Sequence, residues 1–301
     1  MDFSIIIATF DRGVSLQRLL SGIAQDFGKS AISHEVIVAN NAREAENIKC
    51  IDNIVDAFRH DHGERFRSVR EPDAGKCRAQ NRAIGQAGGN ILAFFDDDVE
   101  VTQGWLEIAA EFFRANKFDA MQGPILMPPA VQKDEVFLRA HYRYRTINFV
   151  QYPPAMSEIK TLTGANMAIR REVFDRIGLF NENLGPGRSG ISEDVEFARR
   201  IIANGGTIGY EHRAGVYHEV DWNRLTEEFF RQRHEQQGRS RLIFKQQSLV
   251  SVAPNVVRSI LTFGWYSLIR NERKKYRAKG RYFHYRAMLQ EIMKNSSGSQ
   301  I

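Results

Sequence analysis

Cysteine is scarce in this chain of 301 residues: Cys50 and Cys77 are the only two, and their spacing suits no zinc site. No disulfide framework can be built from them, and the scarcity fits a reducing compartment. A long apolar run is also missing. The nearest candidate, residues 248–270, is interrupted by Pro254, Asn255 and Arg258, whereas a membrane-spanning helix needs about 20 predominantly apolar residues and tolerates no central charge cheaply. The N-terminus enters an apolar strand without a basic leader, which argues against a secretory signal. Two glycine signatures are absent as well. No G-x-G-x-x-G follows the first apolar run, which excludes the usual dinucleotide oxidoreductase. Thr9-Phe10-Asp11-Arg12-Gly13 is too poor in glycine for a nucleotidyltransferase loop.

What remains is the composition of a soluble globular protein, 43% apolar and 26% charged, long enough for two lobes around a substantial core. The net charge of +6 is unevenly spread. Arg270 to Arg286 carries eight Lys/Arg and one Glu, or +7, so the other residues sum to −1. A basic tail on a nearly neutral body calls for a partner of its own, an anionic membrane or a nucleic acid.

The chain is organised around Ile91-Leu92-Ala93-Phe94-Phe95-Asp96-Asp97-Asp98-Val99. Five apolar residues in a row read as a strand covered on both faces. Three carboxylates then follow at once. Unpaired at a buried strand end they would repel one another and suffer desolvation, a cost that a bound divalent cation relieves. Residues two apart in a strand point the same way, so Asp96 and Asp98 converge if the strand persists. A solvated turn is the plainer reading of three consecutive acids.

Phe3–Ala8 reads as a first buried strand, Val14–Ala24 as a helix with Val14, Leu16, Leu19, Leu20 and Ile23 apolar, and Glu35–Ala39 as a second strand. Strand, helix and strand of these lengths make a βαβ unit with a parallel pair. Ligands of open α/β sheets collect at the carboxyl ends of such strands, where Thr9, Asp11, Asn40 and Asp96–Asp98 all sit. Between them, Gly75 opens a helical run with Lys76, Arg78 and Asn81, whose first turn either meets an anion or is an ordinary basic surface. Trp105–Ala115 is a further amphipathic helix. Later, Ser192-Glu193-Asp194 opens a helix after the glycine-rich residues 185–190, with Ser192 as an N-cap and acids that suit the helix's positive end. Capping alone accounts for those acids.

Ser4–Arg12, Asn40-Asn41, Gly75–Asn81 and Asp96-Asp97-Asp98, in this order and at these intervals, resemble the family 2 glycosyltransferases of the GT-A fold. So do Gly164-Ala165-Asn166-Met167, the Glu193-Asp194 pair and the strand ending in His218, which carry the resemblance from about Asp2 to Val220. It implies an α/β fold, a GT-A type Rossmann-like α/β/α sandwich with a mixed central sheet, plus a helical C-terminal extension. It implies a catalytic domain over 1–222, with 1–98 the nucleotide-binding half and 99–222 the acceptor half, and a basic extension over 223–301. Carried onto matching positions, Thr9, Asp11, Asn40, Arg78, Asp96 and Asp97 bind the donor nucleotide, Asp98 and His218 hold Mn²⁺ or Mg²⁺, and Asp194 is the general base. The second-strand position is usually Asp in the family. Asn40 departs from it, bringing a donor as well as an acceptor to the base.

The expected reaction is metal-dependent, inverting transfer of one sugar from a nucleotide diphosphate sugar to an acceptor hydroxyl. The Gln-x-x-Arg-Trp signature of processive synthases has no match, so a non-processive enzyme is expected, acting on a saccharide or lipid-linked saccharide in polysaccharide or glycolipid assembly. A non-catalytic nucleotide-sugar or carbohydrate-binding module is the competing reading. For residues 248–270 an amphipathic helix in the membrane interface, followed by the basic run, is expected, placing the protein in the cytoplasm on the inner face of an anionic membrane, with no nucleic-acid partner. A helix packed on the rest of the chain is the alternative.

Overall fold

A computed structural model describes residues 1–115 and 117–297. They divide into two compact units: Met1–Pro128, Phe149–Glu182 and Glu193–Glu219 form the first, and Pro129–Asn148, Asn183–Ser192 and the chain from Val220 onward the second. The second unit therefore draws in two internal segments as well as the basic extension.

In the first unit β1 (Phe3–Thr9), α1 (Gly13–Phe27), β2 (His34–Asn40), α2 (Ala45–His62), β3 (Phe66–Arg70), α3 (Lys76–Ile84) and β4 (Ile91–Asp96) alternate as the βαβ pattern requires. Their strands pair in parallel in the order β3-β2-β1-β4. The remaining elements are β5 (Val99–Val101), α4 (Trp105–Ala115), β6 (Ala120–Gln122), β7 (Ile125–Leu126), β8 (Glu158–Ile159), β9 (Asn166–Arg170), α6 (Arg171–Ile177), α7 (Glu193–Ala203), β10 (Ile208–Tyr210) and β11 (Val216–His218). Antiparallel β9 joins β4 to β6, and the sheet continues through β10 to β8, giving eight strands of mixed direction. A separate three-stranded sheet runs β5-β11-β7.

The near-continuous apolar runs of β1, β2 and β4 follow from burial on both faces. Ile5, Ile7, Val36, Val38, Ala93 and Phe95 pack with α1, α2 and α4, whereas Ile6, Ile37, Ala39, Leu92 and Phe94 pack with α3, α6 and α7. This period-two division makes the expected α/β/α sandwich. In α1 the expected apolar stripe buries at Leu16, Leu19, Leu20 and Ile23, but Val14 faces water, since it lies in the first turn beyond the sheet. The register that pairs Thr9 with Asn40 and Ala8 with Asp96 brings the carboxyl ends of the three central strands side by side.

The second unit holds α5 (Glu135–Tyr144), α8 (Glu227–Phe244), α9 (Leu249–Leu268) and α10 (Glu272–Ser297). Helices α8 and α10 approach closely enough that their glycines are obligatory. A Cβ on Gly238 would lie 2.3 Å from the His284 carbonyl oxygen, and one on Gly280 would lie 2.4 Å from the His234 ring. No helix among the described residues is long and apolar enough to cross a membrane.

Candidate active site

The acid run is gathered by a turn rather than by a strand. Strand β4 stops at Asp96, and Asp97 and Asp98 turn the chain into β5. The pleat therefore does not align Asp96 with Asp98 as expected from residues two apart in one strand; reversal of the chain does. Strand β5 pairs antiparallel with β11, placing His218 opposite Val99, and the Glu219 N–H donates to the Asp98 carbonyl at 2.9 Å. One ligand atom each from Asp96, Asp98 and His218 then lies within 4.8 Å of the others.

Whether this group suits a cation is decided by the histidine's tautomer. His218 Nδ1 lies 2.8 Å from the Glu219 carbonyl oxygen, which can only accept, so Nδ1 carries the proton. In the neutral ring Nε2 then turns its lone pair toward Asp98 Oδ1 at 3.6 Å, too long for a hydrogen bond. Two electron-rich atoms held face to face repel, a repulsion that a bound divalent cation would relieve. Two carboxylates and an oriented imidazole make a group that could hold a divalent metal ion.

Each acid of the run has a different neighbour. The Thr9 hydroxyl donates to Asp97 Oδ2 at 2.8 Å. One Arg12 nitrogen donates to Asp98 Oδ2 at 2.5 Å and to Asp97 Oδ1 at 3.2 Å. Burial pushes the Asp97 carboxyl up to about 6, against the opposing pull of Arg12. Asp96 accepts from the Lys76 ammonium at 2.5 Å.

Lys76 reaches the other acid pair as well, with Nζ 3.5 Å from Glu193 Oε1. Burial would lower its pKa, but Asp96 and Glu193 outweigh that and hold it above the ordinary lysine value. Gly75, at φ 139°, starts α3 in a backbone region that side chains rarely enter, and so aims Lys76 inward. Gly164 lies against the ammonium; a Cβ there would sit 3.2 Å from Nζ.

Glu193 and Asp194 open α7. Burial, followed by the opposing effect of Lys76, leaves Glu193 raised to about 7. Asp194 accepts from the Gly164 N–H at 3.0 Å and from the Val195 N–H at 2.7 Å, and burial raises it above an ordinary aspartate. Ser192, expected as an N-cap, sits instead at φ 83°, and among the described residues its hydroxyl makes no hydrogen bond. A non-glycine residue in this region is strained, a feature often found beside functional groups.

Of the residues named from sequence, Thr9, Asp96, Asp97, Asp98 and His218 come together, and Asp194 is linked to them through Lys76. Three do not join them. The Asn40 amide is fully buried and donates to the Ile48 carbonyl and Asp52, while its oxygen accepts from the Ala42 N–H. In the structure it fastens β2 to α2. Arg78 pairs with Asp73 at 2.6 Å and Glu182 at 3.2 Å, away from the acid run. Asp11 is exposed on the loop after β1. The sequence marks Lys76 only as one side of a possible anion contact and Arg12 only as the end of a motif, although three adjacent acids require nearby cations and both flank strand ends. Asn166, quoted only as part of the family's Gly-Ala-Asn-Met strand, proves structural. It accepts from the Trp105 indole at 3.0 Å and donates to the Pro124 and Ala214 carbonyls.

Comparison with known proteins agrees with this architecture. Residues 4–178 match the family model described as glycosyl transferase family 2. The succinoglycan biosynthesis protein ExoM of Rhizobium meliloti is 26% identical over 234 residues, 75% of this chain and 69% of that protein. Among solved structures, mannosyltransferase PcManGT from Pyrobaculum calidifontis, in complex with GDP-Man and Mn²⁺, has a TM-score of 0.63 and 15% identity over 97% of this chain and 87% of its own. S. aureus TarS 1-349 in complex with UDP-GlcNAc has a TM-score of 0.56 and 15% identity, covering 99% of this chain and 92% of its own; the chain spans 44% of the longer TarS. At these identities the structures share the fold. With a family match over more than half its length, the chain belongs to glycosyl transferase family 2 and is a glycosyltransferase.

Proposed function

We propose that the protein transfers one sugar, with inversion, from a nucleotide diphosphate sugar to an acceptor hydroxyl, and that the acceptor is a lipid-linked saccharide in polysaccharide or glycolipid assembly. The observation that carries this reading is the pairing of two acid groups through one lysine: Asp96, Asp98 and His218 on the donor side, Glu193 and Asp194 on the other. Asp96, Asp98 and His218 hold the cation, which when bound supplies positive charge to the departing diphosphate. Thr9 and Arg12 orient Asp97, and Lys76 fixes Asp96. Asp194, half-buried and raised by that burial, takes the acceptor proton as the hydroxyl attacks the anomeric carbon. Attack opposite the leaving diphosphate inverts the anomeric centre without a covalent enzyme intermediate. The domain halves 1–98 and 99–222 divide donor from acceptor binding in this scheme, and the extension from 223 places the enzyme on the cytoplasmic face of an anionic membrane.

The test pairs turnover with donor binding. Asp194→Asn is expected to abolish transfer while Mn²⁺ with one class among UDP-, GDP-, dTDP- and CMP-linked sugars still raises the melting point. A ligand at 100 times its dissociation constant stabilises by about 2.7 kcal/mol, enough to see. If the variant loses the donor-induced shift together with turnover, Asp194 belongs to the nucleotide site. If no donor shifts the intact protein with metal, a carbohydrate-binding module is the better reading.

A further inference from the structure

Helix α9 leaves much of its apolar side-chain surface open. Its buried positions are Val252 and Ser259, whose hydroxyl donates to the Asn255 carbonyl at 2.7 Å. Asn255, Thr262 and Ser267 likewise bond carbonyls one turn back in their own helix. The opposite stripe is open and apolar: Val250, Val257, Leu261, Trp265 and Leu268 are 84, 57, 68, 59 and 76% exposed. Spacings of seven, four, four and three residues put all five on one face. Scattered single apolar residues on a surface need no explanation, but a continuous stripe along 20 residues, about 30 Å of helix, does.

The surroundings are cationic. Arg258 is exposed on α9, Arg270 follows its end, and Arg273 and Arg277 are exposed in the first turns of α10. Among the described residues none of these four makes an ion pair, whereas Lys275 and Lys279 of the same run pair with Glu272 and Glu227. At that end of the stripe, Trp265 and Tyr266 supply rings with a polar edge, and Lys274 lies 5.5 Å from the Tyr266 ring centre. An apolar stripe bordered by unpaired arginines and an amphipathic ring matches a surface that is apolar within and anionic outside.

We propose that the open face of α9 docks on an anionic lipid bilayer. Val250, Val257, Leu261, Trp265 and Leu268 enter the boundary between acyl chains and headgroups, and Arg258, Arg270, Arg273 and Arg277 meet lipid phosphates. This deepens the membrane-surface reading above and rests on it. The helix lies along the membrane plane, since α9 carries Pro254 and Arg258 and no described helix can span.

The full chain is tested by co-sedimentation with phosphatidylcholine vesicles and with mixed phosphatidylcholine–phosphatidylglycerol vesicles, at low and high salt. Binding is expected only to the anionic vesicles and to weaken with salt. Leu261→Glu and Leu268→Glu are each expected to lower it about tenfold or more, the loss of one buried leucine side chain. Brominated lipid should quench Trp265 fluorescence, and Trp265→Phe should remove that quenching. Equal binding to neutral vesicles, no binding at all, or vesicle binding unchanged in both leucine variants overturns the proposal. A dimer in solution that the leucine variants dissociate would assign the stripe to a second copy of the chain instead. Donor-induced melting shifts are measured on the same samples: their survival alongside failed vesicle binding sinks the docking face alone, and their loss sinks the glycosyl-donor reading.

Discussion

Replacing Lys76 by methionine removes a cation that touches both acid groups. Its Nζ lies 2.5 Å from Asp96 and 3.5 Å from Glu193, with side chains only 16, 26 and 9% exposed, so water cannot take its place freely. Breaking a buried ion pair by deleting one partner costs about 3–5 kcal/mol, because the remaining charge is uncompensated. For a chain of this size that is a fall in melting temperature on the order of 10 °C. The loss must depend on pH. Glu193 is already raised to about 7, so the folded chain holds that proton more tightly than the unfolded one, and stability falls as pH rises from the ordinary carboxyl range through about 7. Without Lys76 its carboxyl rises further, enlarging the penalty above neutrality, whereas near pH 5 Glu193 is protonated and only the Asp96 contact is lost. Urea unfolding of both proteins near pH 8 and near pH 5 measures this, with the larger loss expected at the higher pH. A loss below about 1 kcal/mol near pH 8 would refute the argument that burial makes this lysine indispensable. So would an equal loss at both pH values.

Arg12→Ala should tighten Mn²⁺ binding by about tenfold in calorimetric titration, since it removes a competing cation from Asp98 and the pair is discounted for Arg12's partial exposure; weaker binding would mean that Arg12 helps to build the metal site. Asn40→Ala should destabilise the fold by about 1–3 kcal/mol through the lost bonds to Ile48, Asp52 and Ala42. It should leave the preference among donor nucleotides unchanged in melting assays, and a changed preference would return Asn40 to the base site. The pH profile of kcat/KM should fall on its acid side with a midpoint above the ordinary aspartate value, because burial raises Asp194; a midpoint at or below that value would assign the proton transfer elsewhere.

The layered fold was legible because it rests on short-range patterns. Apolar runs at Phe3–Ala8, Glu35–Ala39 and Ile91–Phe95 have the length and composition of strands covered on both faces, and the sheet is built on them. Asp98 and His218 are named through a family pattern; neither spacing nor periodicity brings together a residue in the turn before β5 and one on β11, the strand that pairs with β5. Asn40 illustrates the reverse. Its position at a strand end is legible from sequence, but its hydrogen-bond partners are not, because side-chain direction depends on α2 packing against β2. Arg78 is a similar case. On a helix, two residues of separation turn a side chain by about 200°, so when Lys76 faces the acids Arg78 must face away.

The acid run shows most directly what folding adds. Three identical residues in succession carry no instruction about which is to do what, and as a free turn all three would titrate alike. Ending β4 at Asp96 leaves that carboxylate on α3's side, where Lys76 neutralises it. Asp97 is buried under Thr9 and Arg12 and is raised to about 6. Asp98 faces back across β5 to β11 and meets an imidazole whose outer nitrogen is locked as a donor. One acid is thus held by Lys76, one is oriented by Thr9 and Arg12, and one lies between Arg12 and the imidazole of His218. The division of labour comes from which element each carboxylate faces. Moving the turn by one residue would exchange those partners and, with them, the roles.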